Sequence, residues 1–449
     1  MQYVFRPGRS CEHALLKAQD IILDSLNKQQ VSLLLLIDFS KAFDMVEHNI
    51  LLDKLQHYGI RGTVLKWFQS YLSDRKQFVT IDGVDSDTKL IKYGVPQGSI
   101  LGPLLFIIYI NDLPNISEIA KFIMYADDAN IIITATNITE INQKLKELCS
   151  KLLEWVDDNG LKLNLKKTKY IIFSRQKSES ILPEPLIITD TKIEQKQEAR
   201  FLGVIVDGNL TWKKHISTLH SKMSRYIGIM YKLKSILPLK TRIQIYHSFV
   251  QSHINYCSLV WGFSAKSHIE ILFRAQKRGM RAIVPGYIQY SYKDGVKAGH
   301  TKPFFTEYGI LTVQGMIVAN ALLFMIKTIY FPFSLPDSVR ATVANDSPVI
   351  GSDHITNQEW LTKYLTHVYQ NSLFCKGPLL LVSSEFSEIV ETPIHLSINF
   401  YKKEIKNSLL LIQSMADLEW RAVNFPLYRI PGLRKAPQRE VKKSICYEE

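Results

Sequence analysis

The chain has 449 residues, of which 46% are hydrophobic, a proportion that supports a buried core and more than one domain. Its apolar runs are too short to span a membrane and its N-terminal segment lacks the apolar stretch of a secretory signal, so we expect an intracellular protein with no membrane partner. The formal net charge of +13 favours a polyanionic partner such as nucleic acid, although charge alone identifies none.

Cysteine spacing gives no sign of a metal site or of a disulfide framework. The five cysteines are far apart along the chain, and no pair has C-x-x-C spacing. We therefore expect reduced thiols in packed or surface positions.

The first part of the chain is predicted to alternate strands and helices. The apolar run from Val31 to Ile37 is typical of a strand buried on both faces, and it ends directly before Asp38. Two helices and a hairpin with an Asp-Gly turn are expected next, over Asp44 to Tyr58, Thr63 to Leu72 and Lys76 to Val95.

The second part repeats this alternation. Gly102 and Pro103 begin an apolar helix that runs to Ile110. The segment from Phe122 to Ala135 is expected to be a second hairpin with Asp127 and Asp128 in its turn. An amphipathic helix from Asn137 to Asn159 follows, with capping-box-like spacing at its start and Gly160 at its end.

The remainder is predicted to be more helical. Strands are expected at Leu161 to Phe173 and at Phe201 to Val206, and helices from His215 to about Val284. A further apolar helix, Ile310 to Tyr330, precedes a plausible linker and a region of mixed periodicity with a basic end.

Three segments carry chemistry: IDFSKAFD at 37–44, YGVPQGSILGP at 93–103 and YADD at 125–128. Taken singly, each has an ordinary explanation: a helix cap, a turn and a solvated Asp-Asp turn. Taken together, two apolar strands that each end in carboxylates are costly unless a cation neutralises them. Oxygen-only ligands suit Mg²⁺, and a pair of such ions can activate a hydroxyl and stabilise a leaving phosphate.

In this order, the three segments resemble motifs A, B and C of the reverse-transcriptase palm, in the non-LTR retrotransposon branch that includes the jockey-like elements. Flanking blocks resemble the same branch: QYVFRPGRSCEHALL before motif A, NGLKLNLKKTKYIIFS at motif D, RFLGVIVDGNLTWKKHI at the primer grip and HTKPFFTEYGILTV further downstream. The resemblance covers roughly the first three quarters of the chain.

The resemblance implies a role for each motif residue. Asp38, Asp127 and Asp128 are the catalytic carboxylates and ligands of Mg²⁺ or Mn²⁺, and the main-chain carbonyl of Phe39 adjoins them. Phe43 matches the steric gate that selects deoxyribonucleotides, with a core phenylalanine as the alternative.

The remaining implied roles lie around the substrates. These residues are Gln97 and Gly98 at the incoming nucleotide, Tyr125 and Ala126 near the primer terminus, Lys167 (or Lys169) facing pyrophosphate, and Gly203 and Trp212 in the primer grip. A solvated lysine is the alternative at Lys167. Basic residues of the following helices suit a template–primer track or simply a solvated face.

The resemblance implies an α+β fold: a right-hand polymerase palm, made of an antiparallel sheet with packed helices, with partial fingers, a helical thumb and a mixed C-terminal region. The corresponding boundaries are 1–30 for residual fingers, 31–175 for the palm, 176–214 for the primer-grip connection, 215–300 for the thumb and 301–449 for a region of unknown role.

The implied function is RNA-directed DNA polymerisation by two-metal nucleotidyl transfer onto a DNA 3′-hydroxyl. The implied partners are an RNA template, a DNA primer and deoxynucleoside triphosphates, with action in the nucleus. Because the match begins inside the block before motif A, we expect an N-terminally truncated copy. A catalytically inactive remnant, or a domesticated nucleic-acid-binding protein that keeps the palm and thumb, is the alternative.

Overall fold

The computed structural model describes residues 1–284 and 301–330, together with 402–403, 405–407 and 409–410. Within these parts of the chain, no helix combines the length and apolar character needed to cross a membrane. The expected linker at Phe331 to Asp353 and most of the C-terminal region lie outside the described residues.

Short and long strands both occur. The strands are β1 (Val31–Ile37), β2 (Lys76–Gln77), β3 (Thr80–Ile81), β4 (Val84–Asp85), β5 (Lys89–Leu90), β6 (Ala120–Tyr125), β7 (Asp128–Ala135), β8 (Lys169–Phe173), β9 (Ile187–Ile188), β10 (Thr191–Lys192), β11 (Glu194–Gln195), β12 (Glu198–Phe201) and β13 (Val204–Asp207).

Helices surround these strands and dominate after β13. They are α1 (Cys11–Asn27), α2 (His48–His57), α3 (Gly62–Leu72), α4 (Leu101–Ile110), α5 (Ile138–Asp158), α6 (Lys213–Leu233), α7 (Leu239–Tyr246), α8 (Ser252–Asn255), α9 (Ser258–Trp261), α10 (Lys266–Ile283), α11 (Lys302–Glu307) and α12 (Val313–Tyr330).

A five-stranded sheet in the order β11-β8-β1-β7-β6 forms the centre of the fold. Its pairings are antiparallel except for β11 with β8. Every residue of β1 is buried, because helices cover both faces of the sheet. On one face α1 contacts β1, β6 and β7, and on the other face α5 contacts β1 and β7. The predicted antiparallel sheet with packed helices is therefore what the structure has.

The helical part packs as a separate layer of the same core. Helices α6 and α10 lie against each other, and α7 and α12 both contact α10. Trp261, Tyr246 and Leu272 are fully buried at this contact region. The prediction of helices from His215 to about Val284 is thus confirmed, with α6 beginning at Lys213.

Several predicted boundaries were wrong. The expected strand over Phe201 to Val206 is two strands, β12 and β13, joined by a turn at Leu202 and Gly203. The expected strand from Leu161 is regular only from Lys169, because the preceding residues pair with the segment after Asp38 instead. Helix α2 begins at His48 instead of Asp44, and α12 begins at Val313 instead of Ile310.

The N-terminus of α5 shows how close a capping prediction came. The side chain of Asn137 accepts a hydrogen bond from Glu140 N at 2.9 Å, as predicted. The Glu140 carboxylate accepts a hydrogen bond from Thr136 N at 3.0 Å. A capping box would place this hydrogen bond at the N–H of the N-cap residue Asn137, one residue later.

Candidate active site

Neighbouring strands bring the predicted carboxylates to one edge of the central sheet. Strand β1 pairs with β7 so that Ile37 lies opposite Ala129. Asp38 therefore emerges from β1 beside Asp128, the first residue of β7. Asp127 lies in the two-residue turn between β6 and β7. The prediction that both aspartates lie in the turn was wrong by one position, since Asp128 already pairs with Tyr125.

The turn that carries Asp127 is supported from the N-terminal segment. Ala126 has a φ of 53°, which puts it in the left-handed region. Its N–H donates to Gln2 Oε1 at 3.2 Å, and the same oxygen accepts from Val4 N at 3.3 Å. Gln2 is buried and pairs with Met124 as a short parallel bridge. The chain start therefore holds the tip of the β6–β7 hairpin in place.

The carboxylates form a zone of concentrated negative charge. Partial burial raises the pKa of Asp128, the neighbouring Asp127 and Asp38 raise it further, and Lys167 opposes them. Lys167 Nζ lies 3.4 Å from Asp38 Oδ2, although the lysine side chain is 69% exposed. Within the described residues, Asp38 Oδ2 is buried and accepts no hydrogen bond. A buried carboxylate oxygen whose nearest cation is a mostly exposed lysine at ion-pair distance fits a metal ligand.

A metal ion at this edge would need further ligands besides the aspartate side chains. Among the residues that the structure describes, no three His, Cys, Asp or Glu side chains form a ready cluster of ligands. Mg²⁺ usually takes one or two carboxylates and completes its shell with water and substrate phosphates. The donor chemistry of Asp38, Asp127 and Asp128 fits that pattern.

The two phenylalanines of motif A differ in their surroundings. Phe39 is buried, lies near Trp155 and pairs with Leu163 as an isolated bridge. Phe43 is half-buried, and its ring stacks on Phe106 with 4.1 Å between centroids. Phe43 is thus held by packing while part of its ring stays accessible, which suits either of its two interpretations.

Motif B is joined to motif A by a side-chain hydrogen bond. Gln97 Nε2 donates to Asp44 Oδ1 at 2.8 Å, and both side chains are exposed. Gly98 has a φ of 81° with open space where a Cβ would be, so the backbone conformation itself favours glycine here. The structure therefore places Gln97 and Phe43 in adjacent segments.

The predicted primer-grip residues occupy two different environments. Gly203 lies in the β12–β13 turn with a φ of 82°, and a Cβ there would come within 3.2 Å of the Tyr256 ring. Trp212 is only 4% exposed and belongs to the hydrophobic core. Its main-chain N–H donates to Asp207 Oδ2 at 2.8 Å. Trp212 therefore fixes the junction between β13 and α6 and presents little surface to a ligand.

Basic side chains line the exterior of α6. Five basic residues of this helix are exposed, whereas Lys234, directly after it, is half-buried and donates to the Arg281 carbonyl at 2.8 Å. The exposed ones are Lys213, Lys214, Lys222, Arg225 and Lys232. Tyr226 packs on Phe249 and His253, so it is a packing residue on this helix.

Sequence reasoning missed three residues at this site. Gln2 holds the aspartate turn, Asp44 accepts the hydrogen bond from Gln97, and Asn164 N donates to the Asp38 carbonyl at 2.8 Å. Asp44 is the last residue of the motif A segment, so the presence of a polar side chain in that segment was the available signal. Gln2 and Asn164 gave none, because each contacts a segment far away in sequence.

Comparison with known proteins finds similarity to reverse transcriptases. Residues 1–206 match the family model described as "Reverse transcriptase (RNA-dependent DNA polymerase)". The RNA-directed DNA polymerase from the mobile element jockey of Drosophila funebris is 29% identical over 301 residues, which are 64% of this chain and 32% of that protein. The probable RNA-directed DNA polymerase from transposon BS of Drosophila melanogaster is 28% identical over 307 residues, or 64% of this chain and 33% of that protein.

The chain spans about a third of the length of these relatives. A telomerase structure from Candida tropicalis, in complex with a fragment of telomeric RNA, aligns with 81% of this chain and 52% of that one at 14% identity. Its TM-score of 0.38 is too low to support an argument about the fold. The chain is thus similar to the RNA-directed DNA polymerases of jockey-type mobile elements, and residues 1–206 are similar to reverse transcriptases.

Proposed function

We propose that the chain acts as an RNA-directed DNA polymerase that extends a DNA 3′-hydroxyl on an RNA template with release of pyrophosphate. One observation carries the proposal: the β1–β7 register places Asp38 beside the hairpin that carries Asp127 and Asp128. Three carboxylates at one sheet edge, within a segment similar to reverse transcriptases, suit phosphoryl transfer by positioning and charge neutralisation.

Asp38 and Asp127 would hold Mg²⁺ or Mn²⁺, with Asp128 as a third carboxylate beside them. When bound, such ions lower the pKa of an attacking hydroxyl and neutralise charge on a leaving phosphate. The buried Asp38 Oδ2 supports a cation here, as does the raised pKa of Asp128, which follows from burial and from repulsion by Asp127 and Asp38. The Phe39 carbonyl adjoins the same edge.

The nucleotide would lie between motif A and motif B. Gln97 and Gly98 approach it from one side, and Phe43 closes the space beneath its sugar, where a 2′-hydroxyl would clash. The hydrogen bond between Gln97 and Asp44 supports this arrangement, because it holds motif B against the segment that contains Phe43. Lys167, close to Asp38 and mostly exposed, is placed to balance charge on pyrophosphate or to protonate it.

The primer terminus would lie near Tyr125 and Ala126, with the turn at Gly203 beneath it. Residues 31–175 then act as palm and the helices from residue 215 as thumb. The exposed cations of α6 suit contacts to the template–primer backbone, which would make binding weaken as salt concentration rises.

A primer-extension assay tests the proposal. The full chain is given an oligo(dT)-primed RNA template and deoxynucleoside triphosphates with Mg²⁺ or Mn²⁺, beside Asp127→Asn, which preserves shape and removes charge. Asp158→Asn serves as the matched control, because it makes the same change at an exposed carboxylate of α5 that is not one of the three proposed metal ligands. Extension is expected in the unmodified chain and in Asp158→Asn, and Asp127→Asn should slow it by about 100-fold or more.

Two results would speak against the proposal. If the unmodified chain binds template–primer but extends it with neither metal, the nucleic-acid-binding alternative holds. If Asp127→Asn extends as fast as Asp158→Asn, the carboxylates at the sheet edge are not the catalytic group.

A further inference from the structure

Helix α3 presents an exposed tryptophan beside a half-buried tyrosine, since Phe68 and Tyr71 pack partly against the core while Trp67 stays open to solvent. Leu72 is its one buried residue, and α3 packs mainly against α2. Trp67 is 52% exposed, and its ring stacks on Tyr71 with 5.6 Å between centroids and 13° between planes. The Arg75 guanidinium lies 5.7 Å from the Tyr71 ring centre. We call Trp67, Tyr71 and Arg75 the α3 ladder: the spacing of four residues places Trp67 and Tyr71 on one side of the helix, and Arg75, three residues after the helix ends, reaches back to the Tyr71 ring.

Charge near the ladder is separated by sign. The tip hairpin β3–β4 carries Asp82, Asp85 and the adjoining Asp87. The opposite end, where β2 pairs with β5, carries Lys76 and Lys89 next to Arg75 and Lys92. In the described parts of the chain, none of these four basic residues forms an ion pair with a carboxylate. The ladder is therefore continuous with a positive surface.

The ladder is also tied to the candidate active site. Ile91 N donates to the Arg75 carbonyl at 2.8 Å, so the end of α3 is hydrogen-bonded to the strand that leads into motif B. Further along, Gly94 N donates to the Val46 carbonyl at 2.7 Å and Val95 N to the Phe43 carbonyl at 2.9 Å. A ligand on the ladder would thus lie next to the segment that leads to Gln97.

We propose that the α3 ladder is a stacking platform for the single-stranded part of the RNA template. The exposed Trp67 ring, stacked on a half-buried tyrosine that faces a guanidinium, presents a flat surface on which unpaired bases stack. The basic residues where β2 pairs with β5 attract the phosphate backbone. A paired duplex would gain little, because its bases already stack on one another. This inference rests on the proposed function and names where the unpaired template binds.

Binding measurements separate the platform from catalysis. The probe is a fluorescein-labelled 20-nucleotide oligo(rA), with a blunt RNA hairpin as the duplex probe, and anisotropy gives Kd for each. Trp67→Ala is expected to weaken oligo(rA) binding by about tenfold and to leave hairpin binding unchanged. Trp67→Phe retains a ring and should keep most of the affinity. Ile81→Ala is the matched control, because Ile81 is an exposed apolar residue on the acidic tip hairpin.

Activity provides a second readout. Trp67→Ala should reduce extension on a template with a long single-stranded overhang more than single-nucleotide addition on a one-nucleotide overhang. Asp127→Asn should abolish both and leave oligo(rA) binding intact, so failure of the platform and failure of the polymerase are distinguishable.

Any of three binding results would overturn the platform: oligo(rA) affinity in Trp67→Ala within twofold of the unmodified chain, equal losses for oligo(rA) and the hairpin, or a loss of the same size in Ile81→Ala. A change in sedimentation from dimer to monomer in Trp67→Ala, with RNA binding unaltered, would assign the face to a second copy of the chain and also overturn it.

Discussion

The hydroxyl of Tyr256 donates a hydrogen bond to the main-chain carbonyl of Leu202 across 2.8 Å. Leu202 and Gly203 form the turn between β12 and β13, and Tyr256 follows helix α8. The tyrosine ring also lies where a side chain at position 203 would be. One residue from the helical layer thus holds the proposed primer-grip turn by a hydrogen bond and by van der Waals contact.

Tyr256→Phe should separate these two contributions. The ring remains, so packing against Gly203 is kept, while the Leu202 carbonyl loses its donor. We expect the free energy of unfolding in urea to fall by about 1 kcal/mol and the apparent KM for primer to rise. Tyr226→Phe is the control, because the Tyr226 hydroxyl forms no hydrogen bond with the residues that the structure describes. Equal stability of both variants would contradict the assignment.

Gln2→Leu should loosen the turn that carries Asp127. Gln2 Oε1 accepts from Val4 N and Ala126 N, and leucine would leave both buried donors without that partner. The expected cost is about 1–3 kcal/mol of stability, together with a fall in kcat that exceeds any change in template Kd. Urea unfolding and primer extension measure the two effects. Gln56→Leu, an exposed change on α2, should alter neither.

Phe43→Val tests the steric-gate assignment. Removing the ring opens the space beneath the sugar, and the stack with Phe106 is lost as well. Discrimination against ribonucleoside triphosphates in primer extension should fall by at least about tenfold. Phe78→Val, an exposed substitution on the segment between β2 and β3, should leave discrimination unchanged. Unchanged discrimination in Phe43→Val, with extension retained, would favour the core-packing interpretation.

Stability should depend on pH through Glu12. Burial raises the pKa of Glu12 to about 7, although Leu259 N donates to its carboxyl oxygen at 3.0 Å and the Lys327 ammonium opposes the shift. The stabilisation that this raised pKa provides is complete below the ordinary value of 4.5 and is lost as pH rises through about 7, because the unfolded chain releases the proton first.

Glu12→Gln is expected to be more stable than the unmodified chain at pH 8.5, and the difference should shrink towards pH 5. Neighbouring His13, whose pKa burial lowers to about 4, changes stability in the opposite direction between about 4 and its ordinary 6.5. That contribution is present in both proteins and cancels in the difference. Urea unfolding at the two pH values provides the measurement, and a difference that grows towards low pH would contradict the sign.

Local sequence was enough to predict the parts that carry the candidate chemistry. The run before Asp38 is apolar over its whole length, and the segments on both sides of Asp127 are apolar, so period and burial predicted two adjoining strands that end in carboxylates. The N-cap at Asn137 and the helices after residue 213 followed from equally local patterns. The resemblance of the three motifs added the role that each part is expected to have.

The tertiary structure alone decided which distant residues hold that site in shape. Gln2 reaches Ala126 across 124 positions, Tyr256 reaches Leu202 across 54, and Gln97 reaches Asp44 across 53. Such hydrogen bonds follow from how strands and helices pack, and they leave no periodic signal along the chain. The exposure of Trp67 was equally hidden, because a helix normally buries its apolar face, and only the packing shows that α3 buries Leu72 and leaves Trp67 outside the contact.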